Sequence, residues 1–400
     1  MDLREEPGLD TAQGRLLAAL SAAVFMVNLD ARVVAPLLPM LAVELDVSLA
    51  RSAWLVSAYM LPYGLCQLMF GPLADRYGKI AVCSYAMLAF SVGTACTSLW
   101  PSFGAIVTLR ALTGAAAAGL IPLTLAYIGD TVPYSRRQAT LGRLMARAGA
   151  AQALSTSLGG SIAALMSWRA VFPSLGGLAG MAAIALFLAG RSERQRPTVA
   201  GERHPYIDVL RAPGMRPLLA LVATEGFLFM GGFSYLSGLL EARFALGSLA
   251  IGGVLSLMGV AQLVAAQLLP PILRRFSELE LLASGGGALG AAYLLSALAN
   301  HWAWVALACC LLGAGFILCH TTLQTRATEA FPRGRGTAVG LFAFSLFLGS
   351  GIGTALLGVV LEAAGFSVLF LLVGVLLFAF TFMAIRSLRR QRPAGAAGAA

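Results

Sequence analysis

The sequence predicts an all-α polytopic membrane protein, with twelve transmembrane helices forming two six-helix pseudo-repeats and both termini cytoplasmic. Three observations carry that prediction. First, 58% of the 400 residues are hydrophobic and 12% charged, with a mean hydropathy of +0.82. A soluble domain carries about twice that charged fraction because its surface must meet water. Second, the apolar residues form runs of about 20 without strand-like alternation, the length a helix needs to cross about 30 Å of hydrocarbon. Third, Arg and Lys gather in alternate loops.

In chain order the runs lie near 15–39, 52–74, 80–99, 102–128, 138–166 and 169–190, then 215–240, 248–272, 279–299, 301–325, 336–361 and 365–387. The opening MDLREEPGLDTAQGR is acidic and polar, unlike the basic start of a cleaved leader, so the first run is expected to stay as a span. That run contains NLDARVVAPLLP (28–39), which sets Asn28, Asp30 and Arg32 among apolar residues and follows them with Pro36 and Pro39. At about 100° per residue Asn28 and Arg32 share a face, while Asp30 points nearly opposite. Pro36 cannot donate to the Arg32 carbonyl, nor Pro39 to that of Ala35, which predicts a bent helix beside the charges. Loosened carbonyls in a membrane require protein or a wet cavity around them.

Between the second and third runs, GPLADRYGK (71–79) predicts a tight turn permitted by Gly71 and Gly78. Asp75 is placed to face the positive end of a neighbouring helix, with Arg76 and Lys79 anchoring the turn to the inner leaflet. The fourth run carries Arg110 about a third of the way along, in LRALTGAAAAGL. A cation fixed near a carboxylate favours its ionised form, so a moving one lets the acid bind or release a proton. The fifth run, GAAQALSTSLGG, is rich in small residues that allow close helix approach.

The longest connection, residues 191–217, is rich in Arg and Pro and divides the chain. The expected organisation is therefore a six-helix bundle over 1–190, a cytoplasmic linker over 191–214, a second bundle over 215–388 and a disordered tail over 389–400. PPILRRFSE (270–278) is a degraded echo of 71–79 about 199 residues later, with Arg274 standing where the first copy has Asp75. The seventh run carries Glu225, close to the position equivalent to Asp30, and one acid from each half suits a site between repeats. The tenth contains His320, followed by Thr322, Gln324 and Thr325, and imidazole titrates near neutral pH. Glu225 and His320 also have a plainer reading, as packed residues satisfied by a neighbour. In the eleventh run Phe342, Phe344 and Phe347 face either a greasy cavity or lipid.

Orientation follows from the loops. One set holds 21 basic residues and the other only Arg51, Arg169 and Arg243; Arg32, Arg110, Arg143 and Arg147 remain in or at the edge of spans. The net charge of +10 thus reads as positive-inside topology rather than nucleic-acid binding. The six cysteines all lie in apolar runs and read as small core residues.

GPLADRYGK resembles the loop signature of the major facilitator superfamily, and the span number, hinge and repeat match that family over the whole chain. The resemblance implies that Asp75 is a conformational latch favouring the outward-open state, with Gly71, Arg76, Gly78 and Lys79 shaping it. LDARVVAPLLP looks like the first-span signature of the family's drug/proton antiporters, with Asp30 and Pro39 in register and Arg32 where Thr is usual. LRALTG is similar to the fourth-span pattern, with Thr113 in place of Gln, and this implies that Arg110 is tied to proton coupling. Ser155 and Thr156 stand where the fifth span of an antiporter carries Gly-Pro.

Alternative classes fit poorly. The sequence has no G-x-x-x-x-G-K-[ST] loop, so energy is expected from a gradient rather than ATP. His204, His301 and His320 are too scattered for a metal-dependent enzyme, and nothing repeats like a channel filter. The expectation is a secondary transporter, not an enzyme, working by alternating access and exporting a small hydrophobic or amphipathic molecule in exchange for protons. An exporter of a sugar, a small anionic metabolite or a lipid is the alternative. Asp30, Arg32, Arg110, Glu225, His320 and Asn28 are the candidate coupling and cavity residues, with Asp30 foremost for the proton. No cofactor or metal is expected, and the partners are a small-molecule substrate, protons and the bilayer, with no nucleic acid and a monomeric chain. One Lys against 27 Arg, with short loops, suggests a GC-rich bacterium and its inner membrane.

Overall fold

The computed structural model describes residues 11–191 and 206–390. Residues 391–400 of the expected 389–400 tail, most of the linker and His204 lie outside the described residues; residues 389–390 instead continue the last helix. Among the described residues the regular structure is helical throughout. In chain order the rods are α1 (Ala12–Glu44), α2 (Leu49–Tyr77), α3 (Lys79–Cys96), α4 (Phe103–Thr131), α5 (Tyr134–Leu165), α6 (Trp168–Ala189), α7 (Met215–Phe244), α8 (Ser248–Leu273), α9 (Glu278–Leu298) and α10 (Trp302–Ala330). A last run, Arg335–Arg390, bends at Gly365 (φ 77°) into α11 (335–364) and α12 (366–390). A helical turn, Tyr206–Arg211, precedes α7.

Ten helical stretches, counting α11 and α12 as one and leaving out α5, are long and apolar enough to cross a membrane. α5 is more polar because Arg136, Arg137, Arg143 and Arg147 occupy its first half. Its remaining 18 residues, 148–165, are uncharged and rise about 27 Å, nearly the thickness of a bilayer core. The outward faces of the rods are apolar: Leu65, Met69, Leu88, Met181, Val264 and Phe382 are all exposed. In water such a surface would aggregate; in lipid it is already solvated.

α1 to α6 pack among themselves, as do α7 to α12, and two seams join the groups, α2 on α11 and α5 on α8. At one end of the bundle the α3–α4 and α9–α10 pairs are stapled by charges of opposite arrangement. Lys79 at the start of α3 pairs with Asp130 at the end of α4, and Glu278 at the start of α9 pairs with Arg326 near the end of α10. At the other end Arg169 pairs with Glu44 at 2.8 Å, and Arg243 donates to the carbonyls of Ala297 and Ala299 at 3.1 and 3.0 Å.

The loop at 71–79 corrects two expectations. α2 continues to Tyr77, so Gly71 lies within a helix and the turn rests on Gly78 alone (φ 86°), whose N–H reaches the Ala74 carbonyl at 2.8 Å. Lys79 does not reach for the leaflet: its side chain is 16% exposed and its ammonium is held by Asp130. Arg76 does lie exposed, 5.2 Å over the Tyr77 ring.

Candidate functional site

The site begins with the interrupted α1. Its regular turns end at Val33, and Ala35–Leu37 forms a 3-10 turn before helix resumes at Leu38. This is where Pro36 and Pro39 remove donors. Ser155 on α5 donates to the Leu29 carbonyl, tying the two helices together beside Asp30. α7 is interrupted at the equivalent level: Gly226–Met230 is π-helical and the chain turns again at Ser234 and Tyr235. Glu225 immediately precedes the π-turn, a distortion that recurs at functional sites.

The opposed faces expected of α1 are observed. Asn28 and Arg32 line a cavity between the two helix groups, whereas Asp30 turns into the first group and is wholly buried. There its Oδ2 lies 2.8 Å from Nη1 of Arg110 on α4, itself 1% exposed. The guanidinium stacks 4.3 Å over Tyr59, with Phe172 at 5.9 Å. Asp30 Oδ1 and Arg110 Nε have no hydrogen-bond partner among the described residues. A pair with ideal geometry offsets its own desolvation, and this one is only half satisfied.

The second group repeats the arrangement on α7 and α10. Glu225 is wholly buried, and its Oε2 lies 3.0 Å from Nδ1 of His320. The imidazole stacks at 4.5 Å on Phe316, lies edge-on to Phe342 at 4.9 Å, and forms part of the cavity wall. Each half thus hides a carboxylate behind the wall and pairs it with a nitrogen base from the helix three positions further on. Of the expected cavity residues, Asn28, Arg32 and His320 line the space; Asp30, Arg110 and Glu225 stand behind it.

The cavity measures about 660 Å³. It runs from Arg32 and Phe233 down to Gln324 and to Arg335 and Gly336 at the start of α11, which are exposed at the end bearing Lys79 and Arg326. The opposite end is shut. Ser48 bonds Glu362, and α5 meets α8 so closely that a Cβ on Gly160 would stand 2.3 Å from the Ser248 carbonyl oxygen. Phe342 and Phe347 line the space, while Phe344 packs against the core beside it.

Several wall residues escaped the sequence reading. Gln152 on α5 donates to the Asn28 side chain at 3.0 Å, and Tyr59, Tyr63 and Gln67 line the α2 side. A Gln inside a small-residue helix and tyrosines four apart were the available signals. Arg32 has no carboxylate within ion-pair distance among the described residues. It donates to the Met258 sulfur at 3.4 Å and sits 5.7 Å from the Phe233 ring. A cation–π contact of about 0.5–2 kcal/mol falls short of the roughly 2.5–3.5 kcal/mol cost of Arg at mid-membrane.

Two helix groups around a central cavity open at one end, with buried charge pairs behind its walls, define a multi-pass membrane transporter. The model of the Major Facilitator Superfamily matches residues 20–354, and the chain belongs to that family. It is 27% identical to the uncharacterised MFS-type transporter YceJ of Bacillus subtilis (strain 168), over 84% of this chain and 86% of that one. A second protein of that strain, the uncharacterised MFS-type transporter YwfA, is 25% identical over 88% and 87%. The efflux pump dotC of Dothistroma septosporum is 32% identical, but over 42% of this chain and 30% of its own. Among solved structures, a bacterial homologue of the human lysosomal transporter Spinster, inward-facing and unoccupied, superposes with a TM-score of 0.78 at 17% identity, covering 96% and 99% of the two chains. The human organic anion transporter MFSD10 gives 0.69 at 19% identity over 93% and 99%. At such identities the likeness to both is one of fold.

Proposed function

We propose that this protein is a proton-coupled antiporter that exports small hydrophobic or amphipathic molecules by alternating access. The observation that carries the reading is the Asp30–Arg110 pair, buried between α1 and α4 directly behind the cavity wall. With Asp30 ionised the pair holds the two helices together. Protonation removes one charge and leaves the guanidinium without its counter-ion, so the two proton states favour different arrangements of α1 and α4. Losing one partner of a buried pair costs about 3–5 kcal/mol, close to the roughly 5.5 kcal/mol needed to swing an equilibrium from 1:99 to 99:1. Glu225 and His320 give the second half a similar element, with the imidazole on the wall where cargo sits.

Twelve crossings, with 1–190 and 215–388 as the two bundles, both termini cytoplasmic and a monomer in a bacterial inner membrane complete the reading. The charge bias of the loops supports that orientation and makes the cavity inward-facing, the state in which an exporter loads. That its partial relative dotC is an efflux pump favours export. Asp75, with Gly78 shaping its turn, is the latch of the opposite state. The test is flux in proteoliposomes after a pH jump, using a dye-like amphipathic cargo. Asp30→Asn is expected to insert and fold, though with lower stability, yet to abolish accumulation driven by the proton gradient. Uphill accumulation by Asp30→Asn vesicles at the parent rate would remove Asp30 from the coupling role.

A further inference from the structure

We propose that the cargo is an amphipathic aromatic organic anion whose carboxylate is taken by Arg32; the inference rests on the transporter reading and names its substrate class. Arg32 is a cation on the wall of a membrane-embedded cavity, and within the protein its hydrogen bond goes to a thioether, a weak acceptor. Neither buried acid serves it. Asp30, two residues away, faces Arg110 on the other side of α1, and Glu225 faces His320. Among the described residues no Asp or Glu lines the cavity; its basic groups are Arg32, His320 and, at the mouth, Arg335. The wall therefore offers positive charge or none, which suits an anion and penalises a cation by leaving two like charges in one low-dielectric space.

The geometry narrows the class further. A guanidinium presents a planar fork of donors matched to a carboxylate, and Asn28 and Gln152 add amides beside it. Much of the remaining wall is aromatic: Tyr63, Phe229, Phe233, Phe316, Phe342 and Phe347 line it. At about 660 Å³ it falls in the range of drug-sized sites. A compact anion without an apolar body would fill little of it, and a neutral apolar molecule would leave Arg32 uncompensated. The bound anion supplies the counter-ion that the protein withholds.

The test is binding to purified full-length protein in nanodiscs, by calorimetry, with three probes of one shape: 2-naphthoate, 2-naphthamide and 2-naphthylmethylammonium. The parent is expected to bind naphthoate about tenfold to a hundredfold more tightly than the amide, and the ammonium least. In Arg32→Gln the carboxylate should fall to about the affinity of the amide, and a retained cooperative thermal melt shows that the variant is folded. Arg32→Lys should keep a reduced preference for the anion. The proposal is overturned if the parent binds amide or ammonium as tightly as naphthoate, or if Arg32→Gln retains the preference. Because binding is read without a gradient, anion preference with no pH-driven flux sinks the coupling alone. Flux without that preference sinks this inference alone.

Discussion

Asp30 and Arg110 are 0% and 1% exposed, so each is the other's only counter-charge within ion-pair distance among the described residues. Their desolvation is already incurred in the fold; removing one partner leaves the other to bear it unrelieved. Arg110→Gln should therefore lower stability by about 3–5 kcal/mol, whereas the double variant Asp30→Asn with Arg110→Gln should recover most of that loss. Thermal unfolding in detergent decides it: a single variant melting with the parent, or a double variant no better than the single, would show that the pair is not the mutual support described. The opposed directions of Asp30 and Arg32 were legible because residues two positions apart on a helix differ by about 200° whatever surrounds them. The partner of Gln152 was not legible. Asn28 lies 124 positions away, and only the packing of α5 on α1 selects it.

Elements carry their own constraints, and α4 illustrates them with two glycines. A Cβ on Gly114 would stand 2.2 Å from the Tyr59 carbonyl oxygen on α2, whereas nothing lies within 4 Å of one on Gly129. Gly114 thus sets how closely α4 approaches the helix that supplies the ring over Arg110. Gly114→Ala is expected to cost about 1–3 kcal/mol through forced separation. Gly129→Ala should be neutral or stabilising by up to about 1 kcal/mol, since Ala loses less backbone entropy than Gly in a helix. Equal melting temperatures for the two variants would contradict the close contact. The break in α1 was readable from Pro36 and Pro39, because a missing donor is a local fact. The break in α7 was not: Gly226–Met230 holds no proline, and the Phe229 carbonyl is met by the Tyr293 hydroxyl from α9, 64 positions away. Span lengths followed from hydropathy, but helix ends did not, since α2 and α10 run past their apolar residues into the polar end of the bundle.

Across the whole molecule the two seams are related by the repeat, for α2 stands in the first half as α8 does in the second, and α5 as α11. In the proposed cycle, rocking about them exchanges which end is shut. In this structure the shut end is secured by Ser48 with Glu362 and by the α5–α8 contact, while the end bearing the 71–79 loop is open. Closing the open end requires contacts there of similar worth, and the proposed latch places them on Asp75, a position held by Arg274 in the second copy. Removing that carboxylate should shift the population toward the open state seen here. A cysteine at Gln324, on the wall near the mouth, reports this by its labelling rate in a background without the six native cysteines. Ser48→Cys with Glu362→Cys, oxidised to a cross-link, fixes the shut end and sets the highest rate attainable. Asp75→Ala is expected to raise the rate severalfold toward that ceiling. If the cross-linked protein labels faster than its parent and Asp75→Ala does not, the latch lies elsewhere in the inner loops.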